Sequence, residues 1–375
     1  MASVGGYQGR PLRAGDFLRI VDTISNTTVE EFQLAVPSHM IPKYTTDWQI
    51  RVMPGPYETG YLTEEDIDAF FSESWTVSHN VARGGIRLIG SRPQFARADG
   101  GQGGAHPSNV IEYGYPIGGL NWTGDEPVIF PVDCQDFGGF ICSLTIIGGD
   151  MWKVGQLRAG ETVRFHRVSL EAALDCRRNN KEFIQQLAQS ARSGVWDGVK
   201  LSVDLVATAT ETQARGQDVV RTLEAAAGRP EISYRVVADN YLLVDYGIGK
   251  SDLNHKCRAT ALKRALQEGR GPASTNLSQG GCIFNTVGCG NSVAIFHDEL
   301  RLPQDKLVEH LIQLESTLGD MRSSKFPNRH FRLPIAFGHS KLAEAVERYM
   351  VNKRPTASYL PDPLQFLAEN NGLTI

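Results

Sequence analysis

From residue 231 onward, the order of apolar runs leaves few folds open. "ISYRVV" (232–237) and "NYLLVDYG" (240–247) read as strands. "DLNHKCRATALKRALQEG" (252–269) reads as a helix, with Asp252 near its start and Gly269 at its end. "GCIFNTVG" (281–288) and "SVAIFHD" (292–298) are strands joined by the hairpin signal "CGN". "PQDKLVEHLIQLESTL" (303–318) is a helix with Leu307, Leu311, Leu314 and Leu318 on one face. A strand at "HFRLPIAF" (330–337) would complete β-α-β-β-α-β, the split-βαβ or ferredoxin-like order. Two helices, "KLAEAVERYMVNK" (341–353) and "DPLQFLAENNG" (362–372), then follow.

The first 168 residues read differently. "WQIRVMP", "TVSHNV", "GIRLIG", "EPVIFPV", "FICSLTII" and "ETVRFHRV" are short apolar runs set among glycine and proline, the pattern of a β-rich barrel. One helix interrupts them at "TEEDIDAFFSE", with Thr63 as N-cap and acids in its first turn. Residues 169–230 form a connecting element: a charged helical stretch capped by Ser169, then an expected strand at 199–210. The division is therefore 1–168 β-rich, 169–230 connecting, and 231–375 α/β, an α+β fold overall.

The net charge of −4 and the lack of a basic run argue against nucleic acid as a partner. No apolar run approaches a membrane span, and MASVGGYQGR lacks the apolar core of a signal peptide. None of the six cysteines forms C-x-x-C. These features lead us to expect a cytoplasmic protein with free thiols, no membrane partner and no metal.

"DGGQGGAHPSN" (99–109) invites a phosphate-cradle reading and fails it. Gly101 and Gly103 fit G-x-G-x-x-G, but the third position is His106 and no helix follows. "VDYGIGKSD" fails as a Walker loop because residue 244 is valine. The chain contains neither G-x-S-x-G nor H-E-x-x-H. What remains is a polar cluster set among glycines within residues 83–136, where backbone can approach a small-molecule substrate. Its candidate catalytic residues are Asp133, His106 and Asp136. Its candidate substrate-binding residues are Arg83, Arg97, Asp99, Gln102, Asn109 and Asn121.

The segments at 82–109 ("ARGGIRLIGSRPQFARADGGQGGAHPSN"), 121–143 ("NWTGDEPVIFPVDCQDFGGFICS") and 150–165 ("DMWKVGQLRAGETVRF") resemble the carboxyltransferase region of urea carboxylase and urea amidolyase. "YRVVADNYLLVDYG" (234–247), "SDLNHKCRATAL" (251–262) and the stretch at 348–373 containing "YLPD" and "NNGL" continue the resemblance, collinear with allophanate hydrolase subunits 2 and 1 and with KipA/KipI-like proteins. The resemblance implies a cyclophilin-like barrel followed by α/β modules. It also implies transfer of a carboxyl group from carboxybiotin to urea. No Met-Lys-Met biotin-accepting motif occurs in these residues, and the family's flanking barrels and biotin carboxylase are not among them. We therefore expect no covalently bound cofactor, with biotin supplied by a separate carrier partner, or else a homo-oligomer.

Departures from the family pattern leave three functions open. A family glutamate in the Gly-rich loop is Gln102 here. The family's Asp-Gly-Pro-Ser-Leu-Gly-Gly reads Asp133-Cys134-Gln135-Asp136-Phe137-Gly138-Gly139, and its Gly-Val-Arg-Ser-like turn is Gly288-Cys289-Gly290-Asn291. The reading preferred from sequence is a carboxyltransferase-like protein, repurposed or partner-dependent. The alternatives are a cyclase, isomerase or lyase of specialised metabolism on the same scaffold, and a non-catalytic KipA/KipI-like regulatory binder.

Overall fold

The computed structural model describes residues 7, 9–18, 36–97, 100–102, 105–196, 219–247, 252–269, 281–326, 329–334, 338–352, 359–370 and 374. Seven strands close a barrel: β1 (Asp47–Pro54), β2 (Trp75–Ala82), β3 (Gly85–Ile89), β5 (Gly119–Trp122), β6 (Pro127–Ile129), β8 (Cys142–Ile146) and β9 (Thr162–Arg167). Their order is β1-β8-β5-β6-β3-β2-β9, and the parallel pairing of β1 with β9 closes the ring. The period-2 pattern explains why β1 belongs here. Trp48, Ile50 and Val52 are buried, while Gln49 and Arg51 alternate with them.

Helix α1 (Glu64–Ser72) plugs the barrel with Phe70, which lies against Trp75 and stacks on Phe165. Its N-terminus carries the expected cap. Thr63 Oγ1 accepts the Asp66 N–H, and Asp66 accepts the Thr63 N–H in return. After a single turn, α2 (Met151–Val154), and strand β9, the long helix α3 (Leu170–Ser193) starts at Ser169, whose hydroxyl accepts the Ala172 N–H. The strand expected at 199–210 lies outside the described residues.

The second half is a five-stranded sheet of β10 (Val219–Leu223), β11 (Ile232–Val237), β12 (Tyr241–Tyr246), β13 (Ile283–Cys289) and β14 (Ser292–His297), ordered β10-β11-β12-β14-β13. Helices α4 (Leu253–Gln267) and α5 (Gln304–Thr317) cover one face, burying Leu262, Leu307, Leu311 and Leu314 against Leu242, Val244, Val293 and Ile295. The β12-α4-β13-β14-α5 order is the split order read from sequence. The edge beside β12 is a correction: β11 occupies it, and residues 330–334 form no strand. Pro334 removes a ladder donor from that run, whereas β11 reaches β12 through a tight Asp239-Asn240 turn. Helices α6 (Ser340–Asn352) and α7 (Pro363–Asn370) end the described chain.

The sheet's other face joins the barrel core. Val237, Tyr241, Leu243 and Ala294 belong to the same buried cluster as Trp122, Leu144 and Phe165. Between the two lies a ribbon of β4 (Asn109–Gly114) and β7 (Phe137–Phe140). The Tyr241 hydroxyl donates to the Gly114 carbonyl and ties the sheet to that ribbon.

Candidate functional site

Two clefts flank the β4–β7 ribbon where barrel and sheet meet. The first, of about 30 Å³, is polar: Arg97, Gln102, Glu112, Asp245 and Asn291 line it, with Tyr57 and Tyr61 as aromatic walls. The second, of about 240 Å³, is half apolar: Tyr115, Val132, Phe284, Val287 and Phe296 share it with Gln135, Asp136, Asn240 and Asn285.

The Gly-rich loop reaches the polar cleft by a chain of local constraints. Asp66 accepts the N–H groups of Gln94 (2.8 Å) and Phe95 (3.0 Å), pinning the segment that leads to Arg97 onto the start of α1. Arg97 then donates to the carbonyls of Pro107 (3.1 Å) and Asn109 (2.7 Å), and its guanidinium lies 5.2 Å from the Tyr61 ring centroid. Gly100 has φ +88°, and a Cβ on Gly101 would run into the His106 carbonyl oxygen. These glycines shape a loop that presents Gln102.

His106 lines neither cleft. Its Nδ1 accepts the Ser108 N–H (3.2 Å) and lies 3.0 Å from Ser108 Oγ. Nδ1 is therefore the unprotonated nitrogen, and Nε2–H donates to Asp125 at 3.0 Å. Serine, histidine and aspartate stand in line as in a hydrolase relay. Ser108, however, is fully buried, and its Oγ also accepts the Gly124 N–H at 3.2 Å. The arrangement latches the loop to the β5–β6 turn.

The remaining expected residues separate. Arg83 and Asp133 form an exposed 3.9 Å pair at the β2–β3 turn. Asp136 lines the second cleft beside Cys134, whose thiol is pushed up to about 11 by burial and by that carboxylate. Asn109 begins β4, and its side-chain oxygen lies 3.5 Å from Ser108 Oγ. Asn121 is buried in β5, with neither amide atom hydrogen-bonded among the described residues. Asp99 lies outside the described residues. Among the described residues, no group of His, Cys, Asp and Glu is placed to hold a metal. No described helix is long and apolar enough to cross a membrane.

Sequence reading missed Glu112, Asp245 and Asn291. The Glu112 carboxylate accepts the Cys289 thiol at 3.6 Å, and burial together with Glu112 raises that thiol to about 11. Asp245 is 7% exposed; burial raises its carboxyl, opposed by the charge of Arg235 and a hydrogen bond with Tyr57. Its one signal in the sequence was an acid interrupting the apolar run "YLLVDY".

Residues 1–167 match the family described as carboxyltransferase domain, subdomain A and B. The whole chain is 45% identical to a provisionally named urea carboxylase of Emericella nidulans and 33% identical to the urea amidolyase of Saccharomyces cerevisiae. It spans 30% and 20% of the lengths of those two relatives. The crystal structure of Kluyveromyces lactis urea carboxylase superposes on 99% of the chain, with a TM-score of 0.71 at 31% identity, and the chain covers 32% of it. Residues 1–167 thus match the carboxyltransferase family, and the whole chain is similar in sequence and fold to one section of urea carboxylases and urea amidolyases.

Proposed function

We propose that this chain transfers a carboxyl group to a small amide of the urea type, receiving it from biotin carried on a separate domain. The observation that carries the reading is the meeting of Arg97, Gln102, Glu112, Asp245 and Asn291 on one polar cleft. Urea presents N–H donors and one carbonyl oxygen. The carboxylates accept from the first, while Arg97 and the Gln102 and Asn291 amides donate to the second. A volume of about 30 Å³ has room for roughly two or three water-sized groups, the scale of one planar amide.

The second cleft fits the carrier's ring chemically. The side-chain amides of Gln135, Asn240 and Asn285 match a cyclic amide, and Phe284, Val287 and Phe296 match its apolar part. Biotin, when bound, supplies the carboxyl group; for direct transfer its carboxyl-bearing nitrogen must come into contact with the amide held in the polar cleft, where Arg97, Gln102 and Asn291 would limit the motion of both. The apolar lining also favours a second reading, a cyclase, isomerase or lyase acting on a less polar ligand.

The test is reconstitution with the biotin carboxylase and biotinylated carrier of a relative, plus ATP, bicarbonate and urea. Urea carboxylation dependent on both ATP and bicarbonate is expected, and Arg97→Ala should lower it about 100-fold or more. Absence of turnover, with no thermal shift from urea or biotin, would overturn the proposal. Protection by apolar ligands alone would favour the second reading.

A further inference from the structure

Strand β12 turns Tyr241, Leu243 and Asp245 toward the barrel, and Leu242, Val244 and Tyr246 toward the helices. Two of its three barrel-facing positions are core residues; the third is a carboxyl. Packing alone disfavours that choice, because a buried carboxylate loses its hydration. Asp245 nevertheless lines the polar cleft, and its surroundings hold it in place. Tyr57 hydrogen-bonds the carboxyl. Arg235 supplies positive charge, lies 5.7 Å from the Tyr57 ring centroid and donates to the Pro56 carbonyl at 3.1 Å. Glu112, the other carboxylate of the cleft, is exposed and engaged by Cys289.

We propose that Asp245 is the acid–base residue of the polar cleft, taking the proton from the substrate's amide nitrogen. This rests on reading the cleft as the carboxyl-transfer site. The proton leaves the amide N–H for an Asp245 carboxylate oxygen as the nitrogen lone pair forms a bond to the carboxyl carbon. The bond from that carbon to the carrier nitrogen breaks, and its electron pair stays on that nitrogen. The proton then passes from Asp245 to the same nitrogen, so the residue is restored each turnover.

The groups facing Asp245 are Tyr57, Tyr61, Arg97 and Glu112 around the cleft, Arg235 on β11 and His255 on α4. Burial is the largest influence and keeps the carboxyl above its ordinary range. A base must be ionised, so the acid limb of kcat falls at higher pH than a free aspartate would set. The folded-state pKa also lies above the unfolded one. Stability contributed by the protonated form is complete below the unfolded value and is lost as pH rises through the folded value.

The test compares wild type, Asp245→Asn and Asp245→Glu in the reconstituted system. Asp245→Asn should lower kcat about 100-fold or more with KM within a few-fold, and abolish the acid limb. Its melting temperature at pH 7 should equal or exceed that of wild type, because the buried charge is gone. Asp245→Glu should keep turnover with a displaced limb. If wild type itself shows no turnover, the functional reading falls. If wild type turns over and Asp245→Asn keeps its kcat and pH profile, this assignment alone falls. Should Asp245→Asn fail to fold, an unmoved acid limb in Asp245→Glu overturns it.

Discussion

At Gly101 the absence of one methyl group decides where Arg97 and Gln102 sit. The Gly101 N–H donates to the Ala105 carbonyl at 2.8 Å, and its Cα packs on the His106 carbonyl. Gly101→Ala should shift the loop and cost about 1–3 kcal/mol, read by guanidinium chloride denaturation. Because Gln102 is the next residue, thermal protection by urea should weaken in the same variant. Arg97 and Gln102 were legible in the sequence because glycine-dense polar loops are built for close approach. Asp245 was not legible. One acid in a strand is usually a solvated position, and only the folded sheet shows that its face points to the barrel. His106 looked like chemistry by residue type, and its role appeared only when Asp125, nineteen positions away, arrived on its other nitrogen.

Among the elements, α1 does more than plug the barrel. Asp66 accepts three backbone N–H groups: its own cap's and those of Gln94 and Phe95. Asp66→Ala should therefore cost about 2 kcal/mol, more than a simple cap. It should also loosen Arg97, so equilibrium denaturation and urea binding are measured together. The cap at Thr63 and most barrel strands were readable because strong local signals agreed with tertiary demand. Strand β5 was not, since Gly119–Trp122 is only four residues long and its burial on both faces erases alternation. Strand β10 was missed because its valines are exposed at a sheet edge. Of the strand expected at 330–337, the described residues 330–334 form none, for the reason Pro334 supplies.

For the whole molecule, one ribbon couples two halves that the sequence presents as separate patterns. A Cβ at Gly114 would lie 2.6 Å from the Ala294 Cβ and 3.4 Å from the Val287 Cβ, so ribbon and sheet touch backbone to side chain. Gly114→Ala should push the ribbon from the sheet at a cost of about 1–3 kcal/mol. Both clefts rest on this ribbon: Val110 and Glu112 line the first, and Tyr115, one residue beyond β4, lines the second. Protection by urea and protection by biotin should therefore weaken together. Leu311→Ala is the control. Leu311 is buried on the helix side of the sheet, away from the ribbon, and its truncation should cost about 2–5 kcal/mol. If stability alone governed binding, the Leu311 variant would bind worse than the Gly114 variant. If the ribbon governs it, the order reverses: the less destabilised Gly114→Ala loses both ligands while Leu311→Ala, held below its melting temperature, keeps them. Calorimetric titration of both variants at one temperature decides between the two.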